Sequence, residues 1–168
     1  MMSLVANTEQ RGLKILPYHR TVTCATAIPA ALPQFMSRFG RVERLGSRLP
    51  AAIPQPGQHA LGFYAQAAGG WILHLPPPVP GIKPRDTLEV TRLHELLPQV
   101  VRIKELAFTK LAPEAAQAAR RSPAVLGCFL PAPTSQQITT IAFGGETLPQ
   151  KSTFFIPKPL SGLVLRLL

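Results

Sequence analysis

Nineteen prolines punctuate this 168-residue chain, about twice the usual share of roughly 5%. Because proline lacks a backbone N–H and fixes φ, it belongs at the ends of helices and strands. The prolines fall mostly between candidate elements, as at Pro76, Pro77, Pro78 and Pro80, and read as the punctuation of a folded chain. Hydrophobic residues make up 46% and charged residues 15%, which excludes disorder, since disordered chains lack the apolar surface that offsets ordering entropy. A chain this long is one ordinary domain, or at most two small ones, and can bury roughly 70% of its unfolded surface.

The net charge is +10, from 18 Lys and Arg against 8 acids, and a field of that sign attracts phosphates, nucleic acid or anionic surfaces. A basic nucleic-acid-binding module is weakly supported. The densest cluster, Arg38, Arg41, Arg44 and Arg48, is interrupted by Gly40 and Gly46, and its single interleaved aromatic, Phe39, makes no series of stacking platforms. Arg outnumbers Lys and Asp86 is the sole aspartate, as a genome rich in Arg, Ala and Pro codons would give. Cys24 and Cys128 are too few and too far apart for a disulfide framework. The N-terminus shows no basic segment followed by an apolar run, so no secretory signal is read. Residues 51–82 carry no Asp, Glu, Lys or Arg, yet prolines, Gln55, Gln58, His59, Gln66 and His74 break the run far short of about 20 apolar residues. A cytoplasmic protein with no membrane partner is expected.

Met2 to Ala6, a polar turn at Asn7 to Gly12, and Leu13, Ile15 and Leu16 predict a hairpin or strand pair. Leu32, Phe35, Met36 and Phe39 make an apolar stripe, predicting a helix over 30–39 stopped by Gly40. A short strand follows at 42–45. Residues 59–65 and 71–75 flank Gly69 and Gly70 as a β-hairpin, in whose simplest register His59 faces His74. Leu88, Leu93, Leu96 and Leu97 predict a helix over 87–97, with Asp86 as N-cap and Pro98 beyond its end. A strand at 103–108, a helix over 113–121 and a buried strand at 124–130 come next. Thr134 and Gln137 form a capping box for a helix to about Phe143, stopped by Gly144 and Gly145. Residues 154–156 and 163–165 predict closing strands. Without regular βαβ spacing, the expected fold is a single α+β domain over 1–168, with a mixed, largely antiparallel sheet and three to four short helices.

Much chemistry lacks its signature. No phosphate-loop, dinucleotide or serine-hydrolase motif occurs. His94-Glu95 matches half of a zinc-protease motif, but Pro98 stands where its second histidine would be. His59 and His74 would offer a metal two ligands without a third, so no metal is assigned. Cys24 follows His19 and Arg20 and is weighed as an activated thiolate against an inert, partly buried thiol. Two segments are polar where a purely structural strand would be apolar. Leu16-Pro17-Tyr18-His19-Arg20-Thr21 places an imidazole, a guanidinium and a hydroxyl at a strand end. Gln150-Lys151-Ser152-Thr153, with Lys158 and Ser161-Gly162 beyond, supplies cations, hydroxyls and backbone amides for an anion. Hence His19 is the catalytic candidate, and Arg20, Lys151, Ser152, Thr153 and Lys158 are the anion-binding candidates. The structural alternative is a hydrogen-bonded loop that caps neighbouring strands.

These segments also carry a resemblance. The run GETLPQKSTFFIPKPLSGLV, with LPAPTSQQI ahead of it, is similar to the closing segment of an uncharacterised bacterial and archaeal family, domain of unknown function 1015. LKILPYHRTV, HALGFYAQAAGGWILHL and the helix opening DTLEVTRLHELL match in the same order and cover nearly the whole chain. Members of that family are roughly twice this long. Their N-terminal half carries an Asp-Gly-His-His-Arg signature similar to ParB and sulfiredoxin-like proteins, some relatives of which are nucleotide-dependent free-serine kinases. This sequence has no such run, so the resemblance implies no cofactor in this chain, with a nucleotide expected only for the full-length family.

Three readings stand open at this point. The first is a C-terminal auxiliary domain of a ParB-like phosphotransfer family, split or truncated, that binds a phosphorylated small molecule or an N-terminal-half partner supplied in trans, or associates with itself. The second is an independent small-molecule enzyme using His19 as general acid or base. The third is a module that binds nucleic acid through net charge.

Overall fold

The computed structural model describes residues 13–46 and 53–157. The predicted strands at 2–6 and 163–165, Arg48, Lys158 and Ser161-Gly162 lie outside the described residues. Strand β1 (Lys14–Leu16) leads into β2 (His19–Cys24), helix α1 (Leu32–Met36) and β3 (Arg41–Gly46). The hairpin β4 (Ala60–Ala65) and β5 (Gly69–His74) comes next, followed by a 3-10 turn at Pro84–Thr87 and α2 (Glu89–Val100). The described chain ends with β6 (Ile103–Thr109), α3 (Ala112–Arg121), β7 (Val125–Phe129), α4 (Ser135–Phe143) and β8 (Phe154–Ile156).

Six strands form one sheet in the order β3-β5-β4-β7-β2-β6, and β1 pairs with β8 in a separate two-stranded ribbon. Every pairing is antiparallel. The α+β class and the antiparallel sheet match the expectation from sequence. The ribbon matters because it brings the start of β2 beside the segment that precedes β8.

Alternation along the strands sorts the side chains between two faces. Val22, Phe63, Trp71, Leu73, Leu126 and Cys128 join Leu93, Leu96 and Leu97 of α2 in the main core. Phe63 and Trp71 stack with centroids 5.4 Å apart, and each such buried side chain contributes roughly 1.5–3 kcal/mol. The opposite face packs Tyr64 and Phe129 against Ala115, Ala116 and Ala119 of α3. These small side chains let the helix lie close: a Cβ on Gly127 would meet the Ala115 carbonyl oxygen at 3.2 Å.

The hairpin and the Thr134 capping box form as the sequence predicts, and in the box both reciprocal bonds are present. Three details differ. The hairpin register is offset by one residue, so His74 lies opposite Ala60 and not His59. Each histidine meets a carboxylate instead, His59 with Glu89 at 3.1 Å and His74 with Glu43 at 2.9 Å. Pro98 lies inside α2, not beyond it; it is exposed, and the turn around it is held by Gln99 bonding to the Glu95 carbonyl and Val101 to that of Leu97. Asp86 falls in the 3-10 turn, and Leu88 occupies the N-cap of α2 without a side-chain cap. No helix among the described residues is long and apolar enough to cross a membrane.

Candidate functional site

The two polar segments singled out in the sequence meet in space. Arg20 lies in β2, one strand in from the β6 edge, with Phe108 on one side and Cys128 on the other in the ladder. Its side chain is fully buried. One guanidinium nitrogen donates to the Tyr18 carbonyl, and the other donates to the carbonyl of Lys151 at 3.0 Å and of Gln150 at 3.5 Å. The Phe108 ring lies 4.9 Å beneath the guanidinium carbon. Arg20 therefore ties the 149–153 segment to the sheet across 131 residues of sequence.

Lys151 is the one non-glycine among the described residues with positive φ, at 56°. That conformation turns its carbonyl toward Arg20 and leaves its ammonium outside, 5.5 Å over the Tyr18 ring. Tyr18 meets Phe154 edge-on at 5.9 Å, and Lys110 lies 4.2 Å over Phe154. Two exposed ammoniums thus flank this pair of rings, while the buried guanidinium lies over a third ring, Phe108. Ser152 is buried and its hydroxyl donates to the Pro149 carbonyl, which closes the turn. Thr153 is half-buried beside it.

His19 is also buried, but strand alternation sends it to the face opposite Arg20, against Phe129 at 5.7 Å. Its Nδ1 accepts a hydrogen bond from the Leu130 amide at 3.3 Å, which fixes the neutral tautomer with the proton on Nε2. Burial, reinforced by the neighbouring Arg20 charge, lowers its pKa to about 4. The structure thus brings Arg20, Lys151, Ser152 and Thr153 together and leaves His19 out of their cluster.

Burial also lowers the Arg20 pKa to about 10, with Cys128 opposing that shift; the guanidinium stays charged at neutral pH. Burial pushes the thiols of Cys24 and Cys128 up, which disfavours the thiolate that a reactive Cys24 would need. Among the described residues no group of three or more His, Cys, Asp or Glu converges to hold a metal. Sequence reasoning missed Lys110 and Glu89. Lys110 follows Thr109, which pairs with His19 across the β2–β6 ladder, and a strand assignment for β2 would have exposed that neighbour.

No known protein-family profile matches the chain, and no curated protein matches it in sequence. Solved structures do match the fold. A free serine kinase in complex with AMP superposes with a TM-score of 0.54 at 13% identity, covering 91% of this chain and 58% of the kinase chain. The same kinase with ADP gives 0.54 over 92% of this chain. A conserved hypothetical protein from Pyrococcus furiosus gives 0.54 at 14% identity, covering 91% of this chain and 60% of its own. This chain therefore shares a fold with nucleotide-bound phosphotransfer proteins while spanning about 58% of their length.

Proposed function

We propose that this chain is an auxiliary, ligand- or partner-binding domain of a ParB-like, nucleotide-dependent phosphotransfer family, and that it completes a catalyst with a second part. The observation that carries this reading is the superposition of nearly the whole chain on little more than half of a free serine kinase. The resemblance of its closing run to a family whose other half holds the Asp-Gly-His-His-Arg signature supports the same conclusion.

The chemistry of the described residues agrees with an auxiliary role. His19 has its Nδ1 occupied and its imidazole buried, a poor position for a general acid or base, which must reach the transferred proton. What the site offers instead is positive charge on a fixed scaffold. The exposed Lys151 and Lys110 rim would meet a phosphorylated ligand or an acidic surface of the second part.

Binding tests this directly. AMP and phosphoserine affinities are measured for a protein carrying the Asp-Gly-His-His-Arg half, alone and mixed with this chain. A complex that binds either ligand at least about tenfold more tightly than the separate parts is expected. Unchanged affinity together with no complex would overturn the reading.

A further inference from the structure

We propose that the surface formed by α1 and the edge strand β3 binds single-stranded nucleic acid, with Arg38 and Arg44 meeting phosphates, Phe35 offering its face to a base and the cleft beside Phe39 receiving a neighbouring base. This goes beyond the auxiliary role above and stands apart from it, since it needs no second part.

The first observation is a surface of unneutralised charge. Residues 10–85 contain one carboxylate, Glu43, and His74 engages it at 2.9 Å. Arg38 and Arg44 are exposed, and none of the ion pairs among the described residues includes either. Both side chains turn to α1: Arg44 donates to the Gln34 side-chain oxygen, and the Arg38 guanidinium carbon lies 4.9 Å over the Phe35 ring. Neutral partners orient these guanidiniums and leave their charge, with further N–H donors, for phosphate oxygens.

The second observation is aromatic. The sequence cluster has no series of stacking platforms, but the fold extends it. Phe35 precedes the cluster in sequence, is 41% exposed, and meets Phe39 edge-on at 6.4 Å. An exposed ring beside a guanidinium is the arrangement on which bases stack.

The third observation separates nucleic acid from an acidic protein segment. Phe39 continues into an open cleft of about 160 Å³, whose wall it shares with Leu75, Leu96, Arg92, Glu95 and Gln99. Apolar side chains with a few polar groups suit a planar base carrying donors and acceptors on its edge. An acidic segment would bring carboxylates against Glu95, whereas a base is neutral and its phosphates stay with Arg38 and Arg44.

The experiment follows the fluorescence anisotropy of a short labelled oligothymidylate titrated with the intact chain over a series of salt concentrations. An abasic strand and polyglutamate of equal charge are the competitors. Wild type is expected to bind the oligothymidylate at least about fivefold more tightly than either competitor, the equivalent of one stacked base. The double variant Arg38→Ala, Arg44→Ala should lower the slope of log affinity against log salt by about 1.4. Phe35→Ala should weaken the oligothymidylate about fivefold and leave polyglutamate unchanged. The double variant Arg120→Ala, Arg121→Ala removes the same charge from α3, which packs on the opposite face of the sheet, and should keep the wild-type slope. Circular dichroism checks that each variant is folded. Equal affinity for polyglutamate would make the surface a docking site for acidic protein, and equal losses in the two double variants would reduce binding to net charge. Either result, or no binding by wild type, would overturn the proposal and leave the complementation test untouched.

Discussion

The carbonyl of Lys151, held at a positive φ of 56°, accepts a hydrogen bond from the buried guanidinium of Arg20 at 3.0 Å. A strained backbone residue and an arginine without a carboxylate partner are thus parts of one contact. The arginine stabilises the left-handed turn, and the turn satisfies half of the arginine. Strain of this kind persists only where the surroundings over-determine it.

If that strain is stored at Lys151, glycine should relieve it. Lys151→Gly is expected to match or exceed wild-type stability, within about 1 kcal/mol, because glycine has no Cβ to oppose positive φ. Lys151→Val should lose about 1–2 kcal/mol through its β-branch. Thermal unfolding monitored by circular dichroism ranks the three, and a Gly variant less stable than the Val variant would place no strain there.

The β3–β5 junction makes a sharper prediction. A Cβ on Gly40 would lie 2.1 Å from the His74 carbonyl oxygen, and that atom is backbone in a strand paired on both sides. Gly40→Ala is expected to cost about 2–4 kcal/mol in urea unfolding. Gly57, whose Cβ would meet nothing within 4 Å but whose φ is +80°, should cost only about 1 kcal/mol as alanine.

His19 makes stability depend on pH. Its pKa falls from 6.5 to about 4 on folding, mainly through burial, so between these values the unfolded chain binds more protons than the folded one. The contribution is complete above about pH 6.5 and is lost as pH falls toward 4, by up to about 3 kcal/mol. His94, also lowered by burial, works in the same direction. His19→Gln, which keeps an acceptor for the Leu130 amide, should flatten the slope of unfolding free energy between pH 4 and 6.5. An unchanged slope would mean that His19 is not the source.

The punctuation of the chain was readable because its signals are local. The Thr134–Gln137 box and Pro113 at the start of α3 act within a few residues and stand where the sequence puts them, and the hairpin forms as well, although Gly69 and Gly70 open β5 and the turn itself is residues 66–68. Strand β2 was not readable as a sheet interior. Its His19, Arg20, Thr21 and Thr23 look like a surface end, yet β6 and β7 pair on either side and bury it. Only tertiary partners make that burial tolerable: the Leu130 amide for His19, and the 150–151 carbonyls for Arg20. For the same reason the joining of residues 18–20 to 150–153 was legible as two polar segments, while the separation of His19 from Arg20 was not, since it follows from pleat alternation once β2 is known to be a strand. Pro98 within α2 shows a local rule yielding to packing, because Leu93, Leu96 and Leu97 are buried on one face of the helix while Pro98 is exposed.

Turnover is the most direct test of whether the domain is incomplete by itself. The purified chain is incubated with ADP or ATP and free serine, alone and with a protein carrying the Asp-Gly-His-His-Arg half, and phosphoserine is measured. No product from the chain alone, and product or a rate increase when both are present, is the expected result. Phosphoserine formed by the isolated chain, and abolished by His19→Ala, would contradict it.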